Sequence, residues 1–267
     1  MLNVCNFVNI MGNLYAIYFS ATGTSCRCAT SFCQGFGEIP NASINLADDF
    51  NVNFPDITAE DTVVVAAPVY GGRLLTQVAS AFRRLKGNDA IAVAIVVYGN
   101  RDYDDALLEL TDIMHDDGFR IVGVGAFIGQ HSIFPKVANA RPDFSDEQNL
   151  IKFGRECKTT IVKGFDADSI PFIKGNRPYK KAAGAPLYPK AKETDCIKCG
   201  MCVAKCPVGA ISADTPFVTD ITKCVSCGRC IYVCSKSARH YSGFSYSLIS
   251  LISVSYTHLT LPTKRIV

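Results

Sequence analysis

Residues 14–25 read LYAIYFSATGTS, an apolar run followed at once by a loop of small hydroxyl residues. Such a run predicts a buried strand, and Thr24–Gly35 behind it has the pattern of a helix. Further strands are predicted at Ser43–Leu46, Asp61–Pro68, Ala90–Tyr98 and Arg120–Ile128. Further helices are predicted at Leu74–Lys86, Tyr103–Asp116 and Ser145–Lys163, the last capped by Ser145. Apolar strands that alternate with helices predict an α/β fold with a doubly wound parallel sheet, covered on both faces.

The composition excludes several classes of protein. The chain has 267 residues, of which 48% are hydrophobic, and a formal net charge of +3. This apolar content excludes global disorder, and the charge is too small to argue for a nucleic-acid partner. No apolar run reaches the roughly 18 residues of a spanning helix, and no basic leader precedes an apolar segment, so we expect a cytoplasmic protein without a membrane span.

The cysteines are concentrated in one region. Eight of the 13 lie between residues 196 and 234, in two runs with the spacing Cys-x2-Cys-x2-Cys-x3-Cys. In bacterial two-cluster ferredoxins, which have this spacing, the fourth Cys of each run binds the other cluster. We therefore expect two [4Fe–4S] clusters, each held by one quartet of cysteines. Quartet I is Cys196, Cys199, Cys202 and Cys234, and quartet II is Cys206, Cys224, Cys227 and Cys230. Zinc, which usually takes separated pairs of ligands, and disulfides are the alternatives.

Three loops at the carboxyl ends of predicted strands form a candidate ligand site. The first, Ser20–Ser25, precedes a helix, whose free N–H groups and positive dipole end suit a phosphate; the alternative is a plain helix cap. The loops Pro68–Arg73 and Tyr98–Tyr103 follow the next two long strands, where doubly wound sheets bind ligands. Tyr70 and Tyr103 are candidates for stacking on a ring, or else surface aromatics on turns.

Ser20, Thr22, Gly23 and Ser25 match the flavodoxin phosphate loop, usually S/T-x-T-G-x-T. Together with the cysteine runs, residues 13–240 resemble the flavodoxin–ferredoxin fusion proteins of bacteria and archaea, usually found in anaerobes. The resemblance implies a flavodoxin-like sheet with a small C-terminal α+β ferredoxin domain, one FMN and two [4Fe–4S] clusters. The cofactor-binding residues it implies are Ser20, Thr22, Gly23, Thr24, Ser25, Pro68, Val69, Tyr70, Gly71, Gly99, Asn100, Arg101 and Tyr103.

The domain organisation follows from composition and from the same resemblance. We expect a flavodoxin-like FMN domain at residues 13–165, a linker rich in Gly, Pro and Lys at 166–189, and the ferredoxin domain at 190–240. Residues 241–267 form a tail, and Val254–Leu259 resembles the translated mosaic-end sequence of transposon-based sequencing libraries. We therefore expect residues 254–267 to be artefactual.

The implied function is electron transfer that couples FMN to the clusters and relays low-potential electrons between redox protein partners. The alternative is a flavin-dependent reductase of a small acceptor, fed through the clusters. No catalytic residue is assigned. Asp102, Asp104 and Asp105 are expected near the ring, where they would disfavour a negatively charged reduced flavin, whereas Arg73 and Arg101 would favour it.

Overall fold

The computed structural model describes residues 12–167, 172–182, 187–255 and 264–266. Its first part contains five strands and four helices, which alternate along the chain except that no helix lies between the second and third strands. The strands are β1 (Leu14–Tyr18), β2 (Ala42–Asn45), β3 (Thr62–Pro68), β4 (Ile91–Tyr98) and β5 (Arg120–Ile128). The helices are α1 (Thr24–Phe36), α2 (Thr76–Phe82), α3 (Ala106–Asp116) and α4 (Phe144–Lys163).

The five strands pair in parallel in the order β2-β1-β3-β4-β5. This order is that of the flavodoxin-like doubly wound fold, whose ligand site lies where the winding reverses, between β1 and β3. The predicted fold class is therefore confirmed.

Two apolar layers cover the sheet because successive strand side chains point to opposite faces. Val63 and Val65 of β3 pack in the layer formed by α2 and α3, and Val64 packs in the layer formed by α1 and α4. The second layer is tight: a Cβ added to Gly35 would lie 1.9 Å from the carbonyl oxygen of Ile151, so α1 and α4 meet backbone to backbone.

Three predicted helix starts differ from the structure. α3 begins at Ala106 and not at Tyr103. α4 begins after Asp143, whose carboxylate accepts the N–H of Asp146 while the Asp146 carboxylate accepts the N–H of Asp143. The expected cap, Ser145, lies inside the helix, because the reciprocal pair satisfies two donors at once. α2 begins only at Thr76, because Leu75 is extended, with φ −62° and ψ 137°.

The second part of the chain is small and has little regular structure. Its strands β6 (Lys190–Ala191) and β7 (Arg239–His240) pair antiparallel, and its short helices are α5 (Met201–Ala204) and α6 (Arg229–Tyr232). Its buried apolar core contains Cys202, Ile211 and Cys230.

The predicted linker is anchored to the first part of the chain. The N–H groups of Asn176 and Lys180 donate to Asp105 at 2.9 and 2.7 Å, and Arg177 and Tyr179 bind Asp112. The segment 172–182 therefore lies against the first half of α3.

Part of the expected tail is also ordered. Phe244–Ser255 forms the helix α7, and Tyr246 stacks on Phe134 with ring centroids 5.5 Å apart. Lys264–Ile266 forms β8, antiparallel to β5 at the edge of the sheet, and residues 256–263 and 267 lie outside the described part of the chain. In the described segments, no helix combines the length and apolar character that crossing a membrane requires.

Candidate cofactor sites

A cavity of about 510 Å³ lies at the carboxyl ends of β1, β3, β4 and β5. This volume is within the range of small-molecule and cofactor sites. We call it the main cavity. The predicted flavin residues that line it are Ser20, Thr22, Thr24, Ser25, Pro68, Val69, Tyr70, Gly71 and Gly99.

The loop after β1 offers free N–H groups at the start of α1. The loop is held by Asn45, whose side chain accepts the Ser20 N–H at 2.9 Å and donates to the Ser20 carbonyl at 3.1 Å. Gly23 occupies the cap position in a left-handed conformation, with φ +88°, and has no side chain that could cap the helix. The Ser20 hydroxyl accepts the N–H of Cys26 at 3.1 Å. The N–H groups of Thr24 and Ser25 begin the helix ahead of this bond, an arrangement that fits a phosphate.

A tight turn presents Tyr70 to the main cavity. The backbones of Tyr70 and Arg73 bind each other at 2.9 and 3.1 Å, with Gly71 and Gly72 between them at φ +58° and +85°. The Tyr70 ring is held by burial and by a hydrogen bond with Ser132, and the burial raises the pKa of its hydroxyl strongly. Tyr70 therefore enters the cavity as a neutral, fixed aromatic side chain.

Four predicted flavin residues, Gly23, Asn100, Arg101 and Tyr103, are not among the residues that line the main cavity. The chain turns away at Asn100, which is buried with φ +59°, and Arg101 binds Asp104 at 3.0 Å. Tyr103 is buried, edge-on to Tyr98 with ring centroids 5.6 Å apart. Tyr103 therefore packs beside Tyr98, and its expected stacking role stays a prediction.

The charged groups expected near the ring lie elsewhere as well. Asp102 pairs with Lys174 at 2.6 Å, Asp104 with Lys180 at 2.9 Å, and Asp105 binds the linker backbone. Arg73 pairs with Glu109 at 2.7 Å. None of these side chains lines the main cavity, and their effect on a bound ring stays a prediction.

The loop after β5 supplies a further part of the lining, beyond the three loops that the sequence indicated. Gly129–Phe134 borders the cavity, and a Cβ on Gly99 would lie 2.6 Å from the His131 ring. His131 Nδ1 accepts the N–H groups of Ile133 and Phe134 at 3.1 and 3.3 Å. Burial lowers the pKa of His131 to about 4, so near neutral pH its proton resides on Nε2. No local sequence signal places this loop beside the other three.

Each predicted quartet of cysteines surrounds its own small cavity. Quartet I lines a cavity with Pro216 and Arg239, and quartet II lines another with Pro189 and Thr219. Within the described part of the chain, no three His, Cys, Asp or Glu are placed to hold a single metal ion. In a [4Fe–4S] cluster, each of the four thiolates binds a different iron atom, and this donor set fits both quartets.

Backbone N–H groups and burial act on the thiols in opposite directions. The N–H of Ala210 donates to Cys206 Sγ at 3.2 Å, and that of Ser226 donates to Cys224 Sγ at 3.4 Å. Burial raises the pKa of Cys227 to about 12. Burial alone would also raise the pKa of Cys234. Backbone N–H groups of the segment 236–239 donate to its sulfur, outweigh the burial and hold the pKa below its ordinary value. Sulfur atoms with N–H partners are typical of iron–sulfur ligands.

The second part of the chain closes one side of the main cavity. Cys224, Val225 and Ser226 belong to its lining, as does Tyr188 of the linker. Cys224 and Val225 also line the quartet II cavity, so the two cavities share a wall.

The comparison with protein families agrees with a separate cysteine-rich second part of the chain. Residues 195–238 match a family model described as a 4Fe-4S dicluster domain, and no protein of curated function matches the chain.

Among solved structures, a flavodoxin from the domain Archaea is 13% identical, covers 56% of this chain and 98% of its own, and has a TM-score of 0.40. Oxidised flavodoxin 1 from Bacillus cereus is 15% identical, covers 58% and 100%, and scores 0.40. Rubredoxin oxygen:oxidoreductase from the anaerobe Desulfovibrio gigas is 13% identical and scores 0.42, with 57% of this chain matched to 37% of that protein. The strand order and the matched residues together place a 4Fe-4S domain after a flavodoxin-like fold, as the resemblance implied.

Proposed function

We propose that this chain is an electron-transfer protein that binds FMN in the main cavity and one [4Fe–4S] cluster at each quartet. The proposal rests on one observation. The main cavity and the quartet II cavity share a wall, which is formed by Cys224 and Val225. When bound, the flavin exchanges one or two electrons and each cluster exchanges one. Electron transfer between the flavin and a cluster requires that the two lie close together, and two cavities that share a wall would place them so.

Different residues of the main cavity would hold different parts of FMN. The start of α1, with Ser20, Thr24 and Ser25, would take the phosphate, where N–H donors and the helix dipole favour an anion. Tyr70 would pack on the ring, and the Nε2–H of His131 is a hydrogen-bond donor at the cavity wall. Neither side chain carries a charge near neutral pH.

The two quartets differ in their access to solvent. Cys227 and Cys230 of quartet II are buried, whereas Cys199 of quartet I is exposed. We therefore place quartet II as the neighbour of the flavin and quartet I as the exchange point with redox protein partners. Electrons of low potential would pass between the partner and FMN through both clusters.

The first test is anaerobic purification of the full chain with an absorption spectrum and metal analysis. About eight irons and one FMN per chain are expected from two cubanes and one cavity. Colourless, folded protein would overturn the proposal.

The second test asks whether the flavin receives its electrons through the clusters. Rapid mixing with a chemically reduced ferredoxin should reduce the flavin of the wild type quickly. In Cys227→Ala, which removes a quartet II ligand, flavin reduction should slow at least about tenfold with FMN content unchanged. Cys157→Ala, a buried cysteine outside the three cavities, is the control.

An unchanged rate in Cys227→Ala that lacks one cluster would show that the flavin is reduced directly. Steady turnover of a small acceptor by the wild type, lost in Tyr70→Ala, would instead favour the reductase alternative.

A further inference from the structure

Arg239 lies between the two cysteine quartets. It is the first residue of β7, and its side chain is only 2% exposed. Its Nη1 donates to the carbonyl of Pro216 at 2.5 Å, and its Nη2 donates to the carbonyl of Pro189 at 3.3 Å and to the Thr219 hydroxyl. Pro216 lines the quartet I cavity, whereas Pro189 and Thr219 line the quartet II cavity. One guanidinium therefore spans the walls of both cavities.

Arg239 also contacts a thiol of each quartet. Its backbone N–H donates to Cys234 of quartet I, and its side chain hydrogen-bonds Cys230 of quartet II. Burial raises the pKa of Cys202, Cys224 and Cys230, and the charge of Arg239 opposes that rise in all three. Its electrostatic influence thus reaches both quartets.

The guanidinium lacks a compensating anion among the described residues. Its polar partners there are two carbonyl oxygens, a hydroxyl and a thiol, and its buried Nε has no partner. A buried cation without an anion is costly, because it loses its hydration and gains no opposite charge. A [4Fe–4S] cluster with four thiolates carries a charge of about −2 in its oxidised form, so a cluster at each quartet would supply the missing anions.

We propose that Arg239 is a positioning residue shared by both quartets, which stabilises the reduced form of each cluster and raises both reduction potentials. The inference rests on the proposed function, because it requires that both quartets hold clusters. The physical reason is that reduction adds a negative charge to each cluster, and a nearby buried cation favours the added charge.

The test is a redox titration of the anaerobically purified full chain, monitored by electron paramagnetic resonance, with Arg239→Gln and Arg239→Lys. Arg239→Gln should shift both midpoint potentials to more negative values, and Arg239→Lys, which keeps the charge, should shift them less. Lys198→Gln removes an exposed cation of the same domain and should leave the quartet II potential unchanged.

Unchanged potentials in Arg239→Gln, or a shift in one cluster alone, would overturn the inference. If Arg239→Gln loses its iron, the result for Arg239→Lys decides between the two roles. Full iron content with potentials near those of the wild type supports the role of the charge. An equal loss of iron from Arg239→Lys shows that Arg239 has a packing role only and overturns the inference. Iron analysis of the wild type separates these outcomes from a failure of the proposed function, since a wild type without clusters rejects that function directly.

Discussion

Arg229 donates to Asp48 at 2.5 Å, and this ion pair joins α6 of the second part of the chain to the loop after β2. The same guanidinium donates to the Ser20 carbonyl at 3.2 Å, and Lys205 reaches Asp48 at 3.0 Å. Arg229 directly precedes Cys230 of quartet II, and Ser20 begins the candidate phosphate loop. The contact therefore holds quartet II close to the loop that borders the main cavity.

Asp48→Asn should loosen this contact, because it removes the anion shared by Arg229 and Lys205. Since Asp48 is 48% exposed, solvent screening keeps the expected loss near 1 kcal/mol, or about fivefold in the opening equilibrium. Hydrogen–deuterium exchange of the holoprotein should rise in α6 and in the loop Ser20–Ser25. The exposed Asp56 provides the control, Asp56→Asn, and equal exchange in the two variants would contradict the assigned role of Asp48.

Tyr70→Leu should weaken FMN binding by about tenfold, because it removes the aromatic surface that Tyr70 presents to the main cavity. Tyr103→Leu is the matched control, since Tyr103 packs on Tyr98 and does not line the cavity. FMN release on dilution of the holoprotein, followed by fluorescence, measures the difference. Comparable release from both variants would remove Tyr70 from the site.

The burial of His131 should make stability depend on pH. Burial lowers its pKa from 6.5 to about 4, so between these values the unfolded chain binds a proton that the folded chain does not. The stability associated with the neutral imidazole is therefore complete above about pH 6.5 and is lost as the pH falls toward about 4, by on the order of 3 kcal/mol at most.

His131→Asn keeps an acceptor for the N–H groups of Ile133 and Phe134 but cannot titrate in this range. The melting temperature of the wild type should therefore fall more steeply than that of the variant as the pH is lowered from 7 to 4. Parallel pH profiles would show that His131 does not titrate as its burial predicts.

The linker should become sensitive to protease in Asp105→Asn. Burial alone would raise the pKa of Asp105, but the N–H groups of Lys180 and Asn176 outweigh it and hold the pKa below its ordinary value. An amide offers one acceptor oxygen in place of two, so one of these bonds is lost. Trypsin should then cleave after Lys180 several times faster than in Asp116→Asn, an exposed control. Equal cleavage rates would argue that Arg177 and Tyr179 suffice to hold the linker.

Local patterns were sufficient for the main strands and for the grouping of the cysteines. A buried strand needs only a short apolar run, and β3 and β4 lie within one residue of Asp61–Pro68 and Ala90–Tyr98. The cysteine spacing also predicted two sets of ligands, and the structure gathers each set around one cavity. Both results depend on residues close together in the chain, where period and spacing carry the physical information.

Contacts between distant residues decided the neighbours of each site. Arg229 and Ser20 meet across 209 positions, and no local pattern encodes such a pair. Tyr103 met the same local criteria as Tyr70, yet the turn at Asn100 buries it, because packing against Tyr98 satisfies its ring. The placement of His131, of the Cys224–Ser226 wall and of Arg239 likewise arose only when the chain folded, since burial and electrostatic coupling depend on which surfaces meet.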